Sequence, residues 1–324
     1  MLKRAIVLAS IVVCWGLCAE EPAGIPAPKP KVASVTFGDV GRVEFEPAGA
    51  GLTLRYTLDG STPTSKSAAY CTPIRVASTL TLKAALFQAD AHNGPAVTVE
   101  CKRDEAGRAS LPGEKGPAGT TGTEAGTTRP TAAINVDWSE VPELAEWATR
   151  AQKDAEDYYP TIAEKLRSDG FTPPRQIMLV FKKDPKGIAW ATGATITYGD
   201  EWIKKHPQDT GTTVHELTHV IQSYRSRKCP GWLTEGIADW IRWFNWEPQE
   251  KRPRPNPKTA KYNNSYQDSG AFLAFLEKTY DKEIVTKINA ALRGNTYSDA
   301  LFQQLTGKDL PTLGQEFSDS LNKK

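Results

Sequence analysis

Two histidines four residues apart, with a glutamate beside the first, place the tightest constraint on this chain. They are His215, Glu216 and His219, which form the pattern H-E-x-x-H within the segment TVHELTHVIQ. On a helix, residues four apart lie on one face, so both imidazoles can reach one metal ion while the glutamate lies next to them. The chain has 4 histidines in all, and two of them stand in this motif. The spacing therefore predicts a helix that binds Zn²⁺, which imidazole nitrogen binds readily.

A third ligand is expected a short way downstream. A catalytic zinc ion keeps three protein ligands and leaves a fourth position for water. Glu235 is the best candidate, because it opens a second helical pattern in which apolar residues recur at helical spacing. Asp239 lies one turn further on the same face, where it could accept a hydrogen bond from a ligand histidine or act as the third ligand itself. Glu216 is the predicted general base.

The stretch HELTHVIQ, followed by PGWLTEGIADWIR, resembles the basic secretory protein family of plants and bacteria, whose members are zinc metallopeptidases of the gluzincin-like type. The resemblance extends over about residues 134–321. It implies a secreted, zinc-dependent peptidase with His215, His219 and Glu235 as ligands and Glu216 as the base. It also implies a zincin-like α+β domain with a mixed sheet, a zinc helix and C-terminal helices. Three further similar segments are GIAWATGATITYGDEWI, YQDSGAFLAFLEKTY and INAALRGNTYSDALFQQLTGKDLPTLGQEF.

The same resemblance implies how a substrate is held. In metallopeptidases of this general type, the strand before the zinc helix is a sheet edge that binds an extended peptide through backbone hydrogen bonds. Trp190 and Thr192 lie in that segment and are the candidate substrate-binding residues, although an ordinary strand is the structural alternative. Tyr266 opens the later helix and is the candidate donor to the negative charge that builds on the carbonyl oxygen during amide hydrolysis. Tyr262 is the alternative donor, and plain packing is the structural explanation for either tyrosine.

The N-terminus has the pattern of an export signal. Lys3 and Arg4 precede an apolar run, and Ala19 offers a small residue before an acidic pair. We expect residues 1–19 to be a signal peptide cleaved after Ala19, with lipidation at Cys18 as the rival interpretation. The expected location is therefore secreted, periplasmic or cell-surface. Residues 20–31 form a proline-rich spacer.

Residues 32–102 predict a small all-β domain. Short alternating runs such as RVEFE, LTLRYTL and TLTLKAALF are separated by turn residues, which is typical of an antiparallel Ig-like sandwich. The stretch YTLDGSTPTS resembles the Ig-like domain appended to chitobiases and β-hexosaminidases. In it Asp59 and Gly60 predict a tight hairpin-type turn. Contact with polysaccharide through this domain is a hypothesis.

Residues 103–133 lose almost all large apolar side chains and predict a flexible Gly/Thr/Pro linker. Residues 134–324 are the predicted zincin-like domain. Within it we expect a long helix over 138–169, interrupted at Pro160, a buried strand over Ile177 to Phe181 and an exposed strand over 189–198.

Three cysteines remain beyond the predicted signal peptide. Cys71 and Cys101 fall in the small domain and could pair, because export permits disulfides, whereas Cys229 would be left over. Three unpaired thiols are the alternative.

Composition excludes several classes of function. A net charge of +2 with 39% hydrophobic residues gives no reason to expect nucleic acid or a membrane surface as partner. We expect a monomer without a membrane span that acts on a peptide or protein substrate. The alternative is a non-catalytic secreted protein that binds cell-wall carbohydrate or serves in defence, with a structural or vestigial zinc site. A zinc hydrolase of a non-peptide amide is a third possibility.

Overall fold

The computed structural model describes residues 25–89, 94–104, 130–225 and 229–322. The predicted signal peptide, its cleavage after Ala19 and most of the predicted linker lie outside these ranges. No helix within the ranges is both long and apolar enough to cross a lipid bilayer. The fold is α+β, with a β-rich N-terminal module followed by a mixed sheet and a set of helices.

The N-terminal module is all-β, as expected. Its strands are β1 (Ser34–Phe37), β2 (Gly41–Val43), β3 (Leu52–Thr57), β4 (Ala68–Ala69), β5 (Ile74–Val76), β6 (Leu80–Gln88) and β7 (Val97–Arg103). One sheet has the order β1-β7-β6-β3-β4, and a second sheet pairs β2 with β5. The β1–β7 pair is parallel and the other pairs are antiparallel. Alternation predicts strands but not their direction, so the parallel pair was not foreseen.

The turn after β3 uses the predicted residues but is longer than a tight hairpin. The backbone N–H of Ser61 donates to Asp59 Oδ1 at 3.0 Å. Gly60 has φ +75°, a left-handed conformation that glycine adopts without strain. The partner strand β4 begins only at Ala68. The chain therefore makes a wider loop than the two-residue turn we expected.

The C-terminal part combines a four-stranded sheet with helices. Its strands are β8 (Ala133–Asp137), β9 (Gln176–Lys182), β10 (Ala189–Thr192) and β11 (Thr195–Gly199), in the order β10-β11-β9-β8. Both β8 and β11 run parallel to β9, whereas β10 is antiparallel to β11. The helices are α1 (Ala145–Lys165), α2 (Asp200–Lys205), α3 (Gly211–Gln222), α4 (Gly231–Asp239), α5 (Tyr266–Thr279), α6 (Ile284–Arg293), α7 (Ala300–Thr306) and α8 (Leu310–Asn322). A 3₁₀ turn (Pro142–Leu144) precedes α1, a π-helical segment (Trp240–Trp246) follows α4, and a second 3₁₀ turn (Gln249–Lys251) comes after it.

One face of this sheet packs against helices. Ile177, Leu179 and Phe181 alternate along β9 and are almost completely buried in the helical core, as the predicted strand requires. Helix α1 runs through Pro160 without a break, so the expected interruption is wrong. The buried Tyr159 just before the proline, packed in the same core, helps to keep this part of the helix against the sheet.

The opposite face of the sheet packs against the N-terminal module. The side-chain amide of Asn135 accepts a hydrogen bond from Arg75 N–H at 2.8 Å and donates one to Arg75 O at 2.9 Å. The amide of Gln176 accepts from Ala77 N–H at 3.2 Å and also donates to Arg75 O, at 2.9 Å. Asp137 accepts from Ala69 N–H at 2.9 Å. Side chains of β8 and β9 thus take the place of a partner strand along β5.

The three cysteines of the described ranges are unpaired thiols. The Sγ of Cys71 lies 3.9 Å from Asp137 Oδ1, between the two parts of the chain. The Sγ of Cys101 lies 3.8 Å from Val99 O inside the N-terminal core. Burial raises the pKa of these two thiols to about 12 and about 11. The disulfide considered between Cys71 and Cys101 is not formed.

Candidate metal and catalytic site

Helix α3 carries the H-E-x-x-H motif between the sheet and α4. Val214, Leu217 and Ile221 are fully buried in the helical core and fix the helix in place. The helix ends at Ser223, which has φ 46° and donates its backbone N–H to His219 O at 3.2 Å. The motif therefore sits in the last two turns of a short, well-anchored helix.

Three donor atoms converge where α3 meets α4. The Nε2 atoms of His215 and His219 lie 3.1 Å apart. Glu235 Oε2, from α4, lies 3.2 Å from the first and 3.4 Å from the second. Within the described ranges these three residues form a cluster able to hold a metal ion.

The other nitrogen of each ring, Nδ1, has a hydrogen-bond partner that determines whether this nitrogen carries the proton of the neutral ring. His215 Nδ1 lies 2.7 Å from Asp239 Oδ1, a carboxylate that only accepts, so this nitrogen carries the hydrogen. His219 Nδ1 lies 2.8 Å from Gln222 Oε1. The amide nitrogen of Gln222 donates to Thr234 O at 2.9 Å, which turns the amide oxygen toward His219. In the neutral rings, therefore, both Nε2 atoms are unprotonated.

This donor set fits Zn²⁺. Two nitrogen lone pairs and a carboxylate oxygen point at one another at 3.1 to 3.4 Å, which is repulsive unless positive charge lies between them. A tetrahedral ion with ligand distances of about 2.0–2.1 Å separates its ligand atoms by about 3.3 Å. The observed separations match that value.

Protons supply the positive charge when a metal does not. Burial acts against a charged His215, yet its hydrogen bonds to Asp239 and Glu235 raise its pKa to about 9. Burial also acts against a charged Glu235, yet its hydrogen bonds to the two histidines lower its pKa to about 2. Both shifts show that the charged forms of His215 and Glu235 stabilise each other in the cluster.

Glu216 lies beside the donors without an ion-pair partner of its own in the described ranges. It is 7% exposed and lines the cleft above the cluster. Burial raises the pKa of its carboxyl group, and a hydrogen bond from the backbone N–H of Ala191 acts in the opposite direction. A carboxyl group with a raised pKa both accepts and returns a proton more readily near neutral pH.

A cleft of about 830 Å³ opens over the cluster. The edge strand β10 pairs with β11 on one side, and its residues from Ala189 to Ala191, with the preceding Ile188, line the cleft. Trp190 is 38% exposed there. Thr192, the other predicted substrate-binding residue, is exposed at the end of β10 and is not among the residues that line the cleft. The predicted single strand over 189–198 is a hairpin, with Gly193 at φ +58° in its turn.

The two tyrosines considered as oxyanion donors occupy different environments. Tyr266 is 57% exposed, lines the cleft and has its ring centroid 6.2 Å from that of His215. The charge of Glu235, followed by burial, raises the pKa of its phenol. Tyr262 packs against Trp232 and Phe272, with ring centroids 5.4 and 5.5 Å away. It is not among the residues that line the cleft.

Close contact between α4 and α5 brings Tyr266 to the cluster. A Cβ atom at Gly236 would lie 2.7 Å from Ser269 Cβ, and one at Gly270 would lie 3.0 Å from Trp240 N. Real Cβ atoms essentially never come as close as the first distance, so Gly236 requires glycine, and a Cβ atom at Gly270 would be tighter than nine in ten real contacts. Ser265 and Tyr266 have φ 64° and 45°, a strained left-handed conformation for residues with side chains.

Sequence reasoning missed two features of the site. Gln222 follows His219 by three residues, a spacing that places both side chains on one helix face. Arg242 and Trp243 line the cleft from the π-helical segment, where a regular helix was expected. Arg242 pairs with Asp209 at the far end of the cleft. The sequence contains no pattern that brings Asp209 and Arg242 together.

The mixed sheet has its edge strand along a cleft, and two histidines and two glutamates lie on the neighbouring helices, an arrangement suited to metal-assisted hydrolysis. The family model described as peptidase of plants and bacteria matches residues 139–317, more than half of the chain. The chain belongs to this family. Residues 32–98 match the chitobiase/β-hexosaminidase C-terminal domain. A search of curated proteins gives no match.

Proposed function

We propose that this peptidase is a secreted, zinc-dependent endopeptidase in which Glu216 is the general base. The observation that carries the proposal is the convergence of His215, His219 and Glu235 at 3.1 to 3.4 Å beside the buried carboxyl group of Glu216. The family match supports a peptidase, and the donor set supports the metal. Export rests on the N-terminal sequence.

The three donors would hold Zn²⁺ and leave one side free. Within the described ranges the cluster contains three donors, whereas a structural zinc site normally closes its fourth position with a protein ligand. Bound there, the ion supplies a Lewis acid that makes water more acidic and polarises a carbonyl group. The open side argues for catalysis over the alternative of a structural or vestigial site.

Glu216 handles the protons in this mechanism. Its carboxylate accepts a proton from the attacking water and then donates it to the nitrogen of the leaving amine. The Ala191 N–H orients the carboxylate, and burial raises its pKa toward the range in which both transfers are efficient. No role of this kind is needed at a structural metal site.

The substrate would lie as an extended chain along β10. The free edge of this strand offers backbone N–H and C=O groups to a peptide. Ala191, whose N–H contacts Glu216, and the exposed Trp190 lie next to each other on the strand. A peptide paired with this edge therefore passes directly over the general base. Thr192 would contact the peptide only where it leaves the cleft.

Tyr266 would stabilise the negative charge that develops on the carbonyl oxygen. Its phenol is exposed in the cleft, and the nearby Glu235 keeps it protonated by raising its pKa. A protonated phenol is a suitable hydrogen-bond donor to an oxyanion. Tyr262 lacks access to the cleft, which favours Tyr266 for this role.

The test is to profile cleavage of a mixed peptide library by the purified mature chain, with and without a zinc chelator. We expect internal cleavage that the chelator removes and added Zn²⁺ restores. Cleavage that persists after complete metal removal would overturn the zinc mechanism. Metal binding without cleavage of any peptide would favour the non-catalytic alternative. Binding of the full chain to insoluble chitin through residues 32–102 would then strengthen that alternative.

A further inference from the structure

We propose that Gln222 is a positioning residue that fixes the tautomer and the ring orientation of His219 for metal binding. The inference rests on the proposed metal site but not on peptide hydrolysis. Gln222 is 1% exposed at the last position of α3, three residues after His219. Neither the motif nor the family resemblance assigns it a role.

Hydrogen bonds to Thr234 and His219 determine the orientation of the Gln222 amide, which also contacts the phenol of Tyr224. Its nitrogen donates to Thr234 O at 2.9 Å, and a carbonyl oxygen can only accept. Its oxygen must then face His219 Nδ1, at 2.8 Å. An acceptor at Nδ1 draws the ring proton to that nitrogen and leaves Nε2 free for a metal. The backbone of Thr234 therefore determines, through Gln222, which nitrogen of His219 is free.

The same amide connects the two helices that carry the ligands. His219 belongs to α3, and Thr234 immediately precedes Glu235 on α4. A single buried side chain thus links the second histidine to the backbone beside the third ligand. Motion of α4 relative to α3 would turn the amide and, with it, the imidazole ring.

Arg293 anchors the end of α3 at which Gln222 lies. Its guanidinium donates to Ile221 O at 3.0 Å and to Gln222 O at 3.2 Å. Ser223 satisfies the two preceding carbonyls, with its N–H on His219 O and its hydroxyl on Val220 O at 2.6 Å. All four terminal carbonyl groups of α3 therefore have partners within the protein.

In the described part of the chain, no carboxylate forms an ion pair with the guanidinium of Arg293. It also donates to Leu166 O at 2.8 Å at the end of α1, and its centre lies 3.7 Å from the ring of Phe171. The negative ends of the α1 and α3 dipoles act as its counter-charge. Arg293 therefore fixes the backbone of Gln222, and the side chain of Gln222 in turn orients His219.

The test compares two substitutions that differ in one property. Gln222→Met keeps a similar volume but offers His219 no strong acceptor. Gln222→Glu restores an acceptor at His219 but cannot donate to Thr234 O when ionised. Gln152→Met is the matched control, because Gln152 is a buried glutamine of α1 whose amide donates to Ile134 O, away from the donors.

Affinity for Zn²⁺ is measured by competition with a chromogenic chelator, and thermal unfolding of the metal-free proteins is measured in parallel. We expect Gln222→Met to weaken zinc binding by about 10–100-fold and Gln222→Glu to bind within a few-fold of the unsubstituted chain. Gln152→Met should lower stability without changing affinity. A Gln222→Met variant with unchanged affinity would overturn the proposal.

Equal loss of affinity in the methionine and glutamate variants, in proportion to lost stability, would also overturn the proposal, because it would show a purely structural role. Peptide cleavage is recorded separately on the same samples. Failure of the unsubstituted chain to cleave peptides, with zinc binding retained, counts against the proposed hydrolysis and leaves the role of Gln222 to be judged from the affinities. Failure of that chain to bind Zn²⁺ overturns both.

Discussion

His215 and His219 direct their Nε2 atoms at each other across 3.1 Å, and the Nδ1 of each faces a different hydrogen-bond acceptor. Two neutral imidazoles have no reason to adopt this arrangement by themselves, because their lone pairs repel. The helix, Asp239 and Gln222 impose it. The arrangement therefore suits a cation, and we expect removal of that cation to lower the stability of the chain.

Metal removal should destabilise the chain. Zn²⁺ present at about 1,000 times its dissociation constant adds about 4 kcal/mol to the free energy of unfolding, which corresponds to a rise in Tm of roughly 8–16 °C for a domain of this size. Calorimetry with and without a chelator measures the shift. Mg²⁺ serves as the control ion, because it prefers oxygen ligands. An equal rise with Mg²⁺ would contradict a nitrogen-rich zinc site.

Glu216→Gln should leave metal affinity nearly unchanged and lower kcat by about 10²–10⁴-fold, because the amide cannot accept the proton. His219→Ala is the comparison, since it removes a ligand and should lose the metal together with activity. Steady-state hydrolysis and metal analysis of the two variants separate the roles. Substantial activity in Glu216→Gln would rule out this residue as the base.

Asp239→Ala should weaken Zn²⁺ binding by about 10–100-fold, because His215 loses the acceptor that orients it. Asp239→Asn keeps an oxygen acceptor without the charge and should lose less Zn²⁺ affinity than Asp239→Ala. Asp268→Asn is a suitable control, since this carboxylate lines the cleft but bonds to Asn264 instead of a histidine. Chelator competition gives the three affinities. A loss as large in Asp268→Asn would show a general charge effect.

Tyr266→Phe should lower kcat by about 10²–10³-fold and leave KM little changed, since an oxyanion donor acts mainly in the transition state. Tyr262→Phe should keep kcat, because that ring packs among other aromatic rings outside the cleft lining. Michaelis–Menten kinetics on one peptide decides between them. A larger loss of kcat in Tyr262→Phe would reverse the assignment.

Asn135→Leu should destabilise the chain by about 1–3 kcal/mol, because the buried N–H of Arg75 loses its partner. Asn135→Asp keeps an acceptor for that N–H and should cost less. Urea unfolding followed by circular dichroism measures both. A change below about 0.5 kcal/mol for the leucine variant would show that the contact contributes little.

The secondary structure around the motif could be predicted from the sequence. The spacing of His215 and His219, and the alternation along β9, follow from helix and strand periodicity, and both are present in the structure. Glu235 was found because it opens a helical pattern after a motif that lacks a third ligand. These are short-range regularities, and one element is enough to reveal each of them.

The missing parts depend on contacts between distant elements. Arg242, which pairs with Asp209, lies in the π-helical segment. The spacing of apolar residues in the sequence does not distinguish a π-helix from an α-helix there. The parallel β1–β7 pair and the choice between Tyr266 and Tyr262 likewise depend on how elements pack. Gln222 was within reach, because its spacing from His219 is helical, but only the contact with Thr234 explains its orientation.

The hydrogen bonds between the side chains of Asn135 and Gln176 and the backbone of β5 fix the position of the N-terminal module relative to the sheet. They give the N-terminal module a set direction relative to the cleft, so a ligand bound to that module would be held at one distance and one angle from the cleft. If that ligand were part of a long polymer, the fixed distance would limit which of the polymer's bonds reach the cleft. Lengthening the chain between the two parts would leave that span unchanged.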